Sequence, residues 1–226
     1  MTRNTSCHPQ IGFPMTQYPV ATLIAPHAKL IPVLHVENPD HAKPLLEALV
    51  SAGINILEVT LRSACGPQVI KRMRALGTDA VVGAGTITKP DQLAAVIDAG
   101  AEFGVSPALT PALAEGARLS GLPFLPGVCT PSESLFAREF GFFEQKFFPA
   151  DLMGGMGWIK HVDPLFPDVK FCPTGGISDD NSSQYLALRN IIAVGGAFLA
   201  PRELIEAADW KTIHERGKVS VAAAAR

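Results

Sequence analysis

From Lys29 onward the chain repeats one unit, a short apolar run of β-forming residues followed by a longer segment with helical periodicity. This alternation predicts parallel strands joined by crossover helices. The repeat predicts eight strands, at Leu30–Val36, Ile54–Val59, Ala80–Val82, Phe103–Val105, Pro123–Leu125, Phe143–Phe147, Val169–Cys172 and Ile191–Val194. They are almost uncharged, as expected of strands that are covered on both faces. Closing eight such strands gives a single-domain (β/α)8 TIM barrel, the α/β fold that we predict.

The segments between these strands carry the periodicity and the start signals of helices. Asp40–Ala52 and Pro90–Ala99 each place their apolar residues on one face. Thr110 and Thr130 are each followed by proline, which is typical of an N-cap residue with proline in the first turn. An open doubly wound sheet is the alternative fold, but no GxGxxG motif follows the first strand.

The length of the repeat also predicts the domain boundaries. Residues 29–226 divide into eight units of about 25 residues, which leaves no segment for a second domain, so we assign them to the barrel. Residues 1–28 have no clear periodicity. We assign them to an N-terminal tail or cap, which either packs across the bottom of the barrel or stays mobile.

Composition argues against several classes of protein. With 47% hydrophobic residues, the 226-residue chain can bury a full core. A formal net charge of −2 offers no electrostatic footprint for nucleic acid or an anionic membrane. The longest uncharged stretch, Asn4–Ala28, is interrupted by four prolines and lacks the pattern of a membrane span or a signal peptide, so we expect a cytoplasmic protein. The four cysteines form no CxxC pair, which predicts free thiols and no metal site.

Reactive groups of a barrel gather at the C-terminal ends of its strands. At the end of the second strand, Glu58 and Thr60 alternate with Leu57 and Val59, which puts the Glu58 carboxylate on the pleat face opposite Leu57. An unpaired charge inside an apolar strand is costly. Glu58 is therefore either functional or held in a structural ion pair with Arg62.

Lys146 lies among aromatic residues near the end of the sixth strand. Lysine is almost never buried without a partner. Desolvation disfavours the ammonium and leaves a neutral amine that can attack a carbonyl carbon. The alternative is structural, because a lysine here could also reach the barrel rim or pair with Glu144.

The remaining strand ends carry small residues, prolines and glycines. Gly83–Thr86, Ser106–Thr110 and Pro126–Thr130 offer close backbone approach, rigid walls and helix caps, although ordinary turn chemistry also explains them. Cys172–Ser178 and Val194–Ala197 are glycine-rich turns that lead towards helices. Barrels commonly bind phosphate at these last two strand ends, through backbone N–H groups and helix N-termini. The glycines that we predict to bind phosphate are Gly175, Gly176, Gly195 and Gly196.

Together these strand ends hold a lysine in apolar surroundings, a carboxylate, an arginine and a phosphate-binding backbone. This set suits a Schiff-base lyase that acts on a phosphorylated keto acid. Lys146 would form the imine, Glu58 would move protons and Arg62 would hold the substrate carboxylate. Because the imine serves as the electron sink, we expect neither a cofactor nor a metal.

Six segments at the strand ends carry a family pattern: Glu58–Arg62 (EVTLR), Gly83–Thr86 (GAGT), Ser106–Pro107, Leu125–Gly127 (LPG), Lys146–Ala150 (KFFPA) and Phe171–Ile177 (FCPTGGI). They resemble the 2-keto-3-deoxy-6-phosphogluconate (KDPG) aldolases, in order from about Lys29 to about Ala208. The resemblance implies a class I aldolase that cleaves KDPG to pyruvate and glyceraldehyde 3-phosphate in the Entner–Doudoroff pathway. Members often also cleave 4-hydroxy-2-oxoglutarate (KHG), and they are typically homotrimers.

The resemblance also implies roles for individual residues. It makes Lys146 the Schiff-base lysine, Glu58 the general acid/base and Arg62 the contact to the keto-acid carboxylate. The implied pyruvate pocket contains Thr86, Pro107 and Phe148, and the implied phosphate side contains Thr174, Gly175 and Gly176. Two positions depart from the family pattern. The family often has serine where this chain has Ala197, which removes a hydroxyl donor to phosphate, and glutamate where this chain has Asp151.

The substitution at Ala197 keeps other functions open. A related pyruvate-dependent lyase with a different aldehyde partner, for a C4-epimeric sugar acid or an unphosphorylated hydroxy-keto acid, would retain Lys146 and Glu58 and differ at the phosphate end. A non-catalytic phosphosugar-binding barrel would need the glycines but not the lysine. A cofactor-dependent isomerase would share only the phosphate site.

Overall fold

The computed structural model describes residues 19–225, and its parallel strands surround a common axis. The strands are β1 (Leu30–Leu34), β2 (Ile56–Thr60), β3 (Val81–Gly85), β4 (Gly104–Val105), β5 (Phe124–Leu125), β6 (Gly127–Val128), β7 (Glu144–Phe147), β8 (Lys170–Pro173) and β9 (Val194–Gly196). Pro126 divides the fifth barrel strand into β5 and β6, because proline has no N–H group to donate to a ladder.

The strands close into a ring. One sheet has the order β5-β4-β3-β2-β1-β9 and the other has the order β6-β7-β8, all parallel. Bridges between Phe171 and Ile191 and between Thr174 and Gly195 join β8 to β9, and the chain itself joins β5 to β6. The predicted (β/α)8 barrel is therefore confirmed, and the alternative of an open doubly wound sheet is wrong.

One short helix, α1, precedes the first strand, and the helices from α2 onward follow the strands and cover the outside of the barrel. They are α1 (Val20–Ile24), α2 (Ala42–Ser51), α3 (Gly66–Arg74), α4 (Asp91–Asp98), α5 (Pro111–Ser120), α6 (Pro131–Glu139), α7 (Gly155–Val162), α8 (Ser182–Leu186), α9 (Arg202–Glu206) and α10 (Trp210–Ala224). Both predicted threonine caps are confirmed: Thr110 accepts from Leu113 N–H at 3.2 Å, and Thr130 forms a capping box with Glu133. None of these helices is long and apolar enough to cross a membrane.

Side chains of each strand alternate between the helix layer and the barrel interior. In β2, Leu57 and Val59 belong to the core under the helices, whereas Ile56 belongs to a second cluster inside the barrel. Val20 and Ile24 of α1 join that inner cluster, so α1 packs across the bottom of the barrel. Of the tail or cap predicted at residues 1–28, residues 1–18 lie outside the described residues, and the boundary at residue 28 stays a prediction.

The last strand differs from its prediction. β9 is Val194–Gly196, and Ile191 contributes only an isolated bridge. Gly195 and Gly196 pair with Ile31 and Pro32 of β1, so they lie in the strand and not in the turn that was predicted. The reason is steric, because a Cβ on Gly195 would lie 2.5 Å from Thr174 Oγ1, and only glycine lets the two strands approach. The turn begins one residue later, with a 3-10 helix at Ala197–Leu199.

Candidate active site

Lys146 and Glu58 meet inside the barrel. Lys146 Nζ lies 3.3 Å from Glu58 Oε1, and the two side chains are only 7% and 4% exposed. Glu58 lies on the second barrel strand and Lys146 on the sixth, so the pair reaches across the interior from opposite walls. Each charge would be costly to bury alone, and in the pair each charge has the opposite charge as its partner.

Among the described residues, neither of these two residues has the partner that its structural alternative assigns. The Glu144 carboxylate accepts from Ala21 N–H at 2.9 Å at the bottom of the barrel and does not contact Lys146. Arg62 is exposed at the mouth, where its Nε–H donates to Thr60 Oγ1 at 3.4 Å. Within residues 19–225 the Arg62 guanidinium forms no ion pair, and it stands at the same end of β2 as Glu58.

Neighbouring residues explain why the Glu58 side chain can cross the interior. A Cβ on Gly85 would lie 2.0 Å from Glu58 Oε1. The carboxylate therefore occupies space that the side chain of any other residue type at position 85 would fill. Thr60 Oγ1 donates to Leu34 O at 2.9 Å and fixes the end of β2 against β1. The Phe148 ring lies 5.2 Å from Lys146 Nζ, within the range of a cation–π contact.

Cys172 forms an uncharged wall beside the pair. It faces Lys146 in the β7–β8 register and is almost fully buried. Burial raises the pKa of the Cys172 thiol to about 12, and the nearby Lys146 ammonium lowers it by less. The predicted free thiols are confirmed for Cys65, Cys129 and Cys172, whereas Cys7 lies outside the described residues. In the part of the chain that the structure describes, no three His, Cys, Asp or Glu side chains are grouped as metal ligands.

Thr86, Pro107 and Phe148, the predicted pocket residues, are half-buried at the ends of their strands. Thr86 directly follows β3 and has a φ of 61°, a left-handed conformation that is unusual for a β-branched residue and is typical of functional sites. Pro107 packs against β6, where a Cβ on Gly127 would lie 2.3 Å from Pro107 O. Nothing in the sequence indicated the strained backbone of Thr86.

The turn after β8 presents unused peptide N–H groups. Gly175 and Gly176 have φ values of 92° and 79°, which favour glycine. Gly175 O accepts from Asp151 N–H at 3.0 Å, and Gly176 O accepts from Asn181 Nδ2 at 2.9 Å. Since C=O and N–H point in opposite directions in a trans peptide, the N–H groups of Gly176 and Ile177 face away from these partners. No acceptor for the N–H groups of Gly176 or Ile177 is found among the described residues.

Two residues, Asn181 and Asp151, contact this turn, and the sequence did not predict these contacts. Asn181 was not singled out, and a polar residue five positions after a glycine carries no specific signal. Asp151 was noted only as a departure from the family pattern, yet a Cβ on Gly176 would lie 2.2 Å from Asp151 Cβ. Thr174 Oγ1 is buried and has no nitrogen or oxygen partner among the described residues, and Ala197 is exposed at the start of the following 3-10 helix.

Known proteins are similar to this chain in sequence. The family model "KDPG and KHG aldolase" matches residues 22–216. A 2-dehydro-3-deoxy-phosphogluconate aldolase of Pseudoalteromonas atlantica is 44% identical over 196 residues, which cover 87% of this chain and 91% of that protein. A KHG/KDPG aldolase of Escherichia coli K12 is 41% identical, over 85% of this chain and 90% of that protein.

A solved structure agrees with these sequence relatives. The KDPG aldolase from Legionella pneumophila, with pyruvate captured at low pH as a covalent carbinolamine intermediate, superimposes with a TM-score of 0.85 and 38% identity, over 88% of this chain and 97% of that chain. The family resemblance seen in the sequence is thereby confirmed. The chain belongs to the KDPG and KHG aldolase family.

Proposed function

We propose that this protein is a class I aldolase that cleaves KDPG to pyruvate and glyceraldehyde 3-phosphate through a Schiff base on Lys146. The observation that carries the proposal is the buried contact of 3.3 Å between Lys146 Nζ and Glu58 Oε1. A carboxylate at this distance can take a proton from the ammonium and return it later, which general acid–base catalysis requires. Phe148 and Cys172 enclose the reacting nitrogen on its apolar side.

Imine formation is the first half of the reaction. The Lys146 amine attacks the C2 carbonyl carbon of the keto acid, and the carbonyl oxygen becomes a hydroxyl group. That hydroxyl leaves as water with a proton supplied by Glu58, and a C=N bond forms between C2 and Nζ. Glu58 is the buried carboxyl group next to Nζ, so it moves the protons of this step.

Carbon–carbon cleavage is the second half. Removal of the C4 hydroxyl proton breaks the C3–C4 bond, the aldehyde leaves, and the bonding electrons move into the imine to form an enamine. Protonation at C3 gives the pyruvate imine, and water releases pyruvate and free Lys146. The proton taken from the C4 hydroxyl balances the one added at C3, and Glu58 is positioned to carry both.

Arg62 and the pocket residues would orient the keto acid. The Arg62 guanidinium has no carboxylate partner among the described residues, so it can bind the substrate carboxylate in a bidentate pair. Thr86, Pro107 and Phe148 would enclose the pyruvate part, with the Phe148 ring beside the reacting nitrogen. Arg62→Ala should then raise KM more than it lowers kcat.

The phosphate would bind where peptide N–H groups lack partners. The free N–H groups of Gly176 and Ile177 suit an anion, and Thr174, Gly175 and the strand end at Gly195 and Gly196 complete this side. Ala197 supplies no hydroxyl donor there. Ala197→Ser should lower KM for KDPG and leave cleavage of KHG almost unchanged.

The test is a cleavage assay that measures both products. The parent enzyme should release pyruvate and glyceraldehyde 3-phosphate from KDPG in equal amounts, and Lys146→Arg should release neither, because a guanidinium stays protonated and cannot form the imine. Lys160→Arg is the matched control, since Lys160 lies exposed on α7 away from the site. Cleavage by the Lys146→Arg enzyme at the parental rate would reject the proposal.

The exposed Ala197 favours a second candidate, a related lyase whose substrate carries no phosphate. The two candidates share Lys146 and Glu58 and differ in kcat/KM for phosphorylated and unphosphorylated sugar acids. We expect a preference for KDPG, with KHG as a second substrate. Equal kcat/KM values for phosphorylated and unphosphorylated sugar acids would favour the second candidate.

We also propose that the enzyme is a homotrimer, which the family resemblance implies. Light scattering should give a mass about three times that of the 23.9 kDa chain. A monomeric mass at assay concentration would reject this assembly.

A further inference from the structure

The last helix contacts both turns of the predicted phosphate side. Arg216 of α10 donates from Nε to Phe198 O at 3.0 Å, and Phe198 lies two residues after Gly196. The same guanidinium donates from Nη2 to Asp179 Oδ2 at 3.4 Å, and Asp179 lies three residues after Gly176. One side chain therefore links the segment after β8 to the segment after β9.

Ser220 strengthens this link from the same helix. It lies one turn after Arg216, is 2% exposed, and donates from Oγ to Asp179 Oδ1 at 2.5 Å. Both oxygens of the Asp179 carboxylate are thus held by side chains of α10. We call Arg216, Ser220 and Asp179 the α10 clamp.

The helix that carries the clamp is seated tightly. Gly217, directly after Arg216, would place a Cβ 2.8 Å from Ala52 Cβ and 3.2 Å from Ile54 Cδ1. The backbone of α10 therefore lies against the end of α2, and only glycine permits this approach. Arg216 and Ser220 project from a fixed support.

The pairing between β8 and β9 is sparse, and the clamp joins the segments that follow these two strands. Two isolated bridges, and no continuous ladder, join these strands. Thr174 and Gly195 form the upper bridge. The spacing of the two turns above this bridge thus depends on contacts outside the strands.

We propose that Arg216, supported by Ser220 and Asp179, is a positioning residue that holds the two glycine-containing segments at the separation that a phosphate group requires. The inference rests on the proposed function, in which these segments bind the substrate phosphate. Because Ala197 offers no side-chain donor, the phosphate depends on correctly placed backbone N–H groups. An exposed Arg–Asp pair alone would contribute little, so the contact to Phe198 O carries the argument.

The kinetic test compares Arg216→Met with Arg138→Met. Arg138 forms an ion pair with Asp168 at similar exposure, 41% against 37% for Arg216, but contacts neither turn. We expect Arg216→Met to raise KM for KDPG about tenfold, which corresponds to about 1.4 kcal/mol. Its kcat for KDPG and its kcat/KM for KHG should stay within twofold of the parent, as should all constants of the Arg138→Met enzyme.

A binding measurement makes the test independent of catalysis. Calorimetric titration with inorganic phosphate should show weaker binding, that is, a higher Kd, for Arg216→Met and, to a smaller extent, for Ser220→Ala. The melting temperature of the Arg138→Met control should be unchanged. If the parent cleaves neither KDPG nor KHG, the proposed function fails while the phosphate titration still tests the clamp. Equal phosphate affinity in parent and Arg216→Met, no phosphate binding by the parent, or an equal loss of kcat/KM on KDPG and KHG would overturn the inference.

Discussion

At the scale of single residues, Lys146 and Glu58 show which features of the site strand periodicity predicts and which it does not. The alternation around Glu58 predicted that its carboxylate faces away from Leu57, and the structure places Leu57 in the helix-side core and Glu58 in the interior. The partner could not be derived in this way, since Lys146 is 88 residues further along the chain and periodicity within one strand carries no information about the opposite wall. The left-handed backbone conformation of Thr86 could not be predicted from the sequence either, because β-branched residues rarely adopt it.

The carboxylate of Glu58 gives the first prediction. Glu58→Gln should keep the fold, because the amide oxygen can still accept from Lys146 Nζ, but it should lower kcat by about 10²–10⁴, the usual contribution of a positioned proton-transfer group. The measurement is pyruvate release per folded molecule, with folding checked by circular dichroism. The exposed Glu47, which pairs with Lys43 on α2, provides the control variant Glu47→Gln. A Glu58→Gln enzyme that unfolds readily yet keeps its kcat would indicate a purely structural ion pair.

The space beside Glu58 gives the second prediction. Gly85→Ala would bring a Cβ within 2.0 Å of Glu58 Oε1, so the carboxylate must move away from Lys146 and kcat should fall by at least about 10². Gly157→Ala on α7 is the matched control, because no atom lies within 4 Å of its Cβ position and alanine favours a helix by about 0.5–1 kcal/mol. Kinetics and thermal melting of both variants check this, and parental activity in Gly85→Ala would contradict the placement of Glu58.

The Cys172 thiol gives the third prediction. With a pKa raised to about 12 by burial, it stays protonated at pH 8, and alkylation requires the thiolate. Iodoacetamide should therefore modify Cys172 about 10³-fold more slowly in the folded enzyme than in urea, where the pKa returns to about 8.5. Peptide mapping by mass spectrometry follows the reaction. Rapid modification of Cys172 in the folded enzyme at pH 8 would show that this wall of the site is open to water.

At the scale of elements, repeat length and composition predicted the strands, whereas their ends depended on contacts. Pro126 splits the fifth strand, and Gly195 and Gly196 extend the last one, where Thr174 lies against Gly195 and Phe198 against Gly196. The short helix α1 was not predicted, since five residues carry too little periodicity. Its position depends on distant contacts, the packing of Val20 and Ile24 in the inner cluster and the Glu144 carboxylate, which accepts from Ala21 N–H.

The carboxylate of Glu144 gives the fourth prediction. Burial raises its pKa, and the N–H groups of Ala21 and Val20 lower it by less. A carboxyl group with a raised folded-state pKa contributes its full stability below the unfolded pKa, near 4.3, and loses it as the pH rises through the folded pKa. Glu144→Gln retains an acceptor for Ala21 N–H and cannot ionise, so its stability relative to the parent should increase from pH 4 to about pH 7.

Urea unfolding at both pH values measures this difference. Glu139→Gln serves as the control, because it removes an exposed carboxyl group on α6 in place of a buried one. A stability difference between Glu144→Gln and the parent that stays constant or shrinks with rising pH would contradict the buried, costly carboxylate.

At the scale of the whole molecule, the barrel explains why distant residues form one site. Parallel strands bring their carboxyl ends to one rim, so Arg62, Thr86, Pro107 and Phe148 share it although they are far apart in the sequence. This much follows from the repeat. The α10 clamp does not, because it joins the last helix to turns that precede it by 18 and 37 residues, and no local pattern indicates such a contact.

The Schiff base on Lys146 is tested most directly by chemical trapping. The enzyme is incubated with pyruvate and borohydride, digested, and mapped by mass spectrometry, with Lys146→Arg as the control. One three-carbon unit should be found, attached to Lys146 and absent from the variant, because borohydride reduces the imine that the buried amine forms with the keto group. Attachment to another lysine, or no attachment at all, would contradict the assignment of Lys146 as the reacting amine.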